Sequence, residues 1–168
     1  VREGRGAILQ GPTSAPVHYR AAGPLALFGI GLLPRGWSEL IGLPANELAD
    51  DAVDLAAVLP AAGVRALMGR LADAGDDAAR CDVVNRFLME RLAAARSPAL
   101  WFTRLADAWL TGSANPDVDD LVAASGMSAR SIERLSQRIY GASPKLLARK
   151  YRALGAAVRL ATGQAANW

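Results

Sequence analysis

Apolar and polar positions change rhythm along this chain. The first third is written in short stretches. "GAILQG" and "APVHYR" are apolar or alternating, and the turn cluster Gly11-Pro12-Thr13-Ser14 separates them. "PLALFGIGLLP" is a longer apolar run closed by Pro34. The pattern predicts strands in all three, joined in an antiparallel sheet. So small a sheet buries little and needs other elements against it.

From Arg35 onward the period becomes helical. "RGWSELIGL" predicts a short helix ending near Gly42, and "VDLAAVLP" another short helical turn. "AAGVRALMGRLADA" and "DAARCDVVNRFLMERLAAA" both carry apolar residues at helix spacing. In the second, Cys81, Val84, Leu88 and Ala95 share a stripe with Phe87 beside it, which makes Cys81 a core thiol. Ser97-Pro98 then has the form of a helix start, with Ser as cap and Pro at the first helical position. The helix it opens, "ALWFTRLADAWLTGS", places Trp101, Leu105 and Trp109 on one face, read as core. A domain boundary falls just before it, dividing the chain into 1–96 and 97–168.

Beyond Gly112 the pattern tightens. Asn115-Pro116 starts a short helix with Val118, Leu121 and Val122 apolar. Gly126 sits where a left-handed terminal residue belongs. Ser128 caps a second helix, 128–140, with Ile132, Leu135 and Ile139 as a narrow apolar seam. Its other face shows Arg130, Ser131, Arg134, Gln137 and Arg138. Tyr140-Gly141 ends it. Ser143-Pro144 caps a third helix exposing Lys145, Arg149, Lys150 and Arg152. Two short helices joined by a tight glycine turn fit a helix-turn-helix, and equally an ordinary small helical bundle with an arginine-rich outer face, because many helical pairs have a glycine turn. A major groove admits one helix, and arginine and glutamine can bond guanine and adenine edges there.

Charge sharpens this picture. Residues 128–168 hold eight cations and one acid, a net +7, while residues 1–127 carry −4, giving the chain its +3. Such a split suggests a polyanion-binding end and a non-binding end, although basic faces are often just solvated. An apolar fraction of 52% and a charged fraction of 21% are globular values. The single cysteine leaves no disulfide framework and no thiol cluster, so a reducing cytoplasm is expected. No apolar run is long enough to span a bilayer.

These residues carry a resemblance. "GMSARSIERLSQRIYGASPKLLARKYRAL" resembles the DNA-binding region of the AraC/XylS family of bacterial transcription regulators. Members often read S-x-R-x-L-x-R-x-F, then G-x-S-P, then a long basic helix. Ser128, Arg130, Ile132 and Arg134 match the first part, Gly141, Ser143 and Pro144 the second, and "LLARKYRAL" the helix. The departure is Ser136, where the family usually has a core Phe; Leu135, Ile139 and Tyr140 are expected to fill that space. "GIGLLPRGWSELIGLPANELADDAVDL" is similar, more weakly, to the end of a family sensing domain. The resemblance implies an α+β protein: a partial, β-containing sensing domain with helices, followed by an all-α helix-turn-helix domain. It also implies an internal piece of a longer chain. The chain opens on Val1, opening strands are expected before it, and a second unit is expected beyond "GQAANW".

The function so read is sequence-specific DNA binding in the bacterial cytoplasm, with helix 128–140 in the major groove. Arg130, Ser131, Arg134, Gln137 and Arg138 are the groove candidates, and Lys145, Arg149 and Lys150 the phosphate candidates. Double-stranded DNA is the expected partner. A small-molecule effector and a second copy of the chain are further candidates, and no membrane partner is expected. No enzyme, cofactor or metal is expected either. His18 is the sole histidine, placed in a strand with a structural role, and Gly29 and Gly31 lack the third glycine of a dinucleotide loop. Asp50-Asp51 and Asp76-Asp77 read as helix starts, where acids are favoured. Two other functions stay open. One is a module whose basic helices bind an acidic partner or anionic surface without base preference. The other is a bare ligand-binding domain with Trp37 lining a pocket.

Overall fold

Two three-residue strands make the sheet among the described residues of this computed structural model, which are 6–19, 23, 27–94 and 100–163. β1 (Ile8–Gln10) runs antiparallel to β2 (Ala52–Asp54), with Ile8 opposite Asp54, Leu9 opposite Val53 and Gln10 opposite Ala52. Alternation turns Leu9 inward and leaves Ile8 exposed.

The strand expectations hold only for the first stretch. Residues 15–19 and 27–33 form no strand, and the remainder before Pro34 of those two stretches (Arg20, 24–26) lies outside the described residues. His18 is exposed coil, not a strand residue. Gly29 and Gly31 weaken the second run as a strand, and Leu27 and Leu33 stay exposed in it. The true partner of β1 comes from 52–54, at the start of the stretch read as helical. There Asp54 ends β2 and its carboxylate accepts the Ala56 amide at 2.8 Å, opening a 3₁₀ turn over Leu55–Ala57.

Pro34 begins α1 (Pro34–Gly36), which continues as a π-helical stretch over Trp37–Ile41 and closes at Gly42. Trp37 is buried and its indole N–H donates to the Leu43 carbonyl at 2.8 Å. It belongs to a core with Leu9, Ala45 and Leu48 and fills that core. A second 3₁₀ turn spans Ala45–Leu48.

α2 (Ala61–Asp73) buries Val64 and Leu67. α3 (Asp77–Ala94) begins where the Asp76 carboxylate accepts the Ala79 amide at 2.8 Å, which is the helix-start role expected of that acidic pair. Asp50-Asp51 instead lies in the turn before β2. Of α3 only Val84 is buried, with Phe87, Leu88 and Arg91 half-buried. Cys81 is exposed, contrary to the core role expected from its stripe, because α3 touches its neighbours along one narrow edge. Arg91 ties that edge down, donating through Nε to the Leu40 carbonyl at 3.0 Å.

The other core is built from helices, with Ala142 of the turn after Tyr140 added to them. It joins Phe102, Ala106 and Leu110 of α4 (Leu100–Gly112), Leu121 of α5 (Val118–Ser125), Ile132, Ile139 and Tyr140 of α6 (Ala129–Tyr140), and Leu147 of α7 (Pro144–Ala161). On α4 the buried stripe is offset by one residue from the expected one. Phe102, Thr103, Ala106 and Leu110 face inward, Leu105 and Trp109 are half-buried, and Trp101 is 46% exposed. Phe102 is the residue that fits between rings, edge-on to Trp101 at 5.6 Å and to Tyr140 at 6.2 Å.

Among the described residues the protein is thus mostly helical with one small antiparallel sheet. Its two buried clusters lie on either side of residues 95–99. The expected boundary and the Ser97-Pro98 helix start are in that stretch, outside the described residues. The two parts touch: the 3₁₀ turn Ala45–Leu48 packs against α6, and α1 packs against α4 and α6. Among the described residues, no helix is long and apolar enough to cross a membrane.

Candidate nucleic-acid interface

The candidate face is built by a short helix, a glycine turn and a capped second helix. α5 starts at Asp117, whose carboxylate accepts the Asp119 amide at 3.0 Å. That is just past the Asn115-Pro116 start, because Asp offers the cap oxygen that Pro lacks. α5 ends at Gly126 with φ 65°, a left-handed conformation that side-chain-bearing residues enter at a cost. The turn is tightened by Ser125, whose hydroxyl donates to the Val122 carbonyl at 2.8 Å and accepts the Met127 amide at 3.1 Å. Ser128 then caps α6 by accepting the Ser131 amide at 3.3 Å.

α6 divides into two faces. Ile132, Ser136, Ile139 and Tyr140 are buried. Arg130, Glu133, Arg134 and Arg138 are exposed, and the three arginines form no hydrogen bond or ion pair with any described residue. They follow one another at four-residue spacing, so they form a single stripe about 12 Å long. Arg130, Ser131, Glu133 and Arg134 line a shallow depression of about 350 Å³. Ser131 and Gln137 are half-buried. The Ser131 hydroxyl lies 3.0 Å from that of Ser128, and the Gln137 amide donates to Glu133 at 3.4 Å. Those two groove candidates are therefore partly engaged inside the helix, whereas the arginines are not.

The buried side is held by polar bonds as well as packing. Ser136 donates to the Ala142 carbonyl at 2.7 Å. Tyr140 donates to the Asp107 carboxylate at 2.9 Å. Burial first, and the bond to Asp107 second, push the Tyr140 hydroxyl well above the ordinary tyrosine range. It stays a neutral donor that fixes α6 to α4. Burial, with the Asp107 charge behind it, also raises Tyr151.

α7 starts at Ser143, which accepts the Leu146 amide at 3.1 Å, with Pro144 at its first position. Lys145 and Arg149 are exposed and make no hydrogen bond or ion pair with a described residue. Lys150 differs from the other phosphate candidates. It is half-buried and donates to the Thr13 carbonyl, so its ammonium is committed to the amino-terminal segment. Beside it, the Ser14 hydroxyl and amide hold Asp50 below the usual carboxylate range, and the Lys150 charge adds to this. Arg152 donates to the Asn115 side chain at 2.6 Å.

The sequence pattern did not single out Asp107, Glu133 as part of the open face, or the seating of the amino-terminal segment on this unit. Glu133 had a signal, its position three residues after Arg130. The seating had none, because it joins Pro12 and Thr13 to Gly141 and Lys150 across the whole chain. No group of three metal-binding side chains exists among the described residues. No protein-family model, curated protein or solved structure matches the chain.

Proposed function

We propose that the protein is a sequence-specific DNA-binding regulator of transcription that lays α6 in the major groove. The observation that carries this reading is the stripe of Arg130, Arg134 and Arg138, exposed and unpaired among the described residues, on a helix whose opposite face is buried. A stripe of free guanidinium groups on a braced helix suits a groove that admits one helix and rewards bidentate arginine. Lys145 and Arg149, at the start of the next helix, are suited to flanking phosphates. Lys150 is left out of that set because Thr13 holds it. The likeness of residues 126–154 to the AraC/XylS pattern supports the same reading, and with it a bacterial cytoplasmic setting.

The amino-terminal contacts leave this face open. Pro12 and the Ala45 carbonyl lie against Gly141, at the far end of α6 from Arg130. Arg130, Glu133 and Arg134 remain exposed at the near end.

Binding measured by fluorescence anisotropy, on a selected site and on random duplex, tests the reading. Arg134→Ala should weaken binding to the selected site by about 1–3 kcal/mol and binding to random duplex by less. An equal loss on both would leave a merely basic surface that binds anionic partners without base preference.

A further inference from the structure

The exposed half of α6 offers a narrow chemical vocabulary. Arg130 and Arg134 supply two free guanidinium groups, and Glu133 supplies one carboxylate between them. The helix contains no asparagine. Its one glutamine, Gln137, is half-buried and already donates to Glu133. Asparagine is thus absent, and the one glutamine is half-buried and turned toward Glu133, whose carboxylate keeps further acceptor positions open beyond that bond. Ser131 is held at the cap by Ser128, and its hydroxyl suits any base. Ala129 brings only a methyl, which can meet a thymine methyl but carries no hydrogen bond.

We infer that α6 reads G·C pairs: Arg130 and Arg134 each take a guanine, and Glu133 takes the amino group of a cytosine. This rests on the reading of α6 as the major-groove helix. Guanine presents two acceptors, O6 and N7, side by side, which match the paired donors of a guanidinium. The carboxylate has only acceptors, so it needs a donor in the groove. Cytosine N4 supplies one. Adenine N6 is a donor too, but the N7 acceptor on the same edge opposes a carboxylate. A carboxylate also repels phosphate, so Glu133 fits a base-reading face better than a phosphate-binding one.

Spacing adds a register. Four helical residues rise about 6 Å, and successive base pairs about 3.4 Å. Arg130 and Arg134 therefore reach guanines about two base pairs apart, with the Glu133 cytosine next to or between them. Arg138 lies a further turn along, nearer the end of α6 where the amino-terminal segment docks.

The test is selection from a randomised duplex library with the full chain, followed by sequencing of the bound fraction. It is run for the wild type and for Glu133→Gln, an exposed position where the change keeps size and helix propensity. The wild type should enrich a core of two guanines about two steps apart with an associated cytosine, each guanine preferred by about fivefold to 150-fold over other bases. Glu133→Gln should keep both guanines and lose the cytosine, moving that position toward adenine. A wild-type motif dominated by A·T pairs would overturn the G·C inference while leaving the groove reading intact. No enriched motif at all would overturn the groove reading, and the inference with it. An unchanged motif in Glu133→Gln would remove Glu133 from the base-reading set and so overturn the inference for the cytosine.

Discussion

Ser136 donates a 2.7 Å hydrogen bond to the backbone carbonyl of Ala142, and both residues are buried. The bond closes the turn after α6 back against the helix itself. It also gives a role to the residue at which the chain departs from the AraC/XylS pattern it resembles, where Phe is usual. Ile139 and Tyr140 are buried in the surrounding core, with Leu135 packed against it. The space is therefore filled from neighbouring positions, and the small hydroxyl is left to satisfy a carbonyl.

Ser136→Ala should lower stability by about 1–3 kcal/mol, because it leaves the Ala142 carbonyl buried without a donor. Denaturant unfolding checks this, as a fall in midpoint with little change in slope. Ser136→Phe should cost more than Ser136→Ala, since a ring must enter a site that is already packed. Equal stability of wild type and Ser136→Ala would mean that the carbonyl finds another donor.

Two left-handed glycines flank α6, and they should respond differently to alanine. Gly126 has φ 65° with open space where a Cβ would go, so alanine there meets conformational strain alone, about 1–2 kcal/mol. At Gly141, φ is 70° and the new Cβ would come within 2.8 Å of the Pro12 ring and 3.2 Å of the Ala45 carbonyl oxygen. Gly141→Ala should therefore be the more destabilising of the two. It should also loosen the amino-terminal segment, seen as faster amide exchange across β1 and β2. Equal losses would mean that Pro12 does not rest on this turn.

Asp50 gives the junction a pH dependence. Its carboxylate is held below the ordinary range by Ser14, with Lys150 helping, so the folded state binds its proton less readily than the unfolded chain. The resulting stabilisation is complete above the unfolded value, about 3.9, and is lost as pH falls through the lowered folded value. Asp50→Asn keeps a residue that tolerates the left-handed backbone there, φ 60°. Wild type should exceed Asp50→Asn in unfolding free energy near neutral pH, and the gap should close in acid. A gap that stays constant into acid would show that the Asp50 charge is not what holds Ser14.

Lys145 and Arg149 should behave unlike Lys150. Neutralising either exposed residue with Gln should weaken binding to all duplexes alike. It should also reduce the slope of log affinity against log salt by about 0.9 for each phosphate that is no longer neutralised. Lys150→Gln should leave that slope unchanged and lower stability instead, because its partner is Thr13. Binding titrations at several salt concentrations separate the two behaviours.

Much of the carboxy-terminal unit was legible in the sequence because its signals are local. Gly126, Ser128, Gly141 and Ser143-Pro144 act on their own turns, and each does so where the pattern placed it. Arg130, Arg134 and Arg138 are exposed because helix period alone puts them opposite Ile132 and Ile139. Failures came where the outcome depends on distant partners. Cys81 and Trp101 lie on stripes that helix period allows, but which edge of a stripe is covered depends on the helix packed against it. β2 is three residues long, too short for any period to show, and its pairing with β1 joins residues more than forty positions apart. The seating of Pro12 and Thr13 on Gly141 and Lys150 is of the same kind.

The most direct test of the central claim is to titrate the isotope-labelled protein with a duplex and follow its backbone amide resonances. If α6 lies in the groove, shifts concentrate at 128–138, extend to Lys145 and Arg149, and spare α2 and α3. Shifts centred on α2 or α3, or none along 128–138 while the duplex is bound, would contradict it.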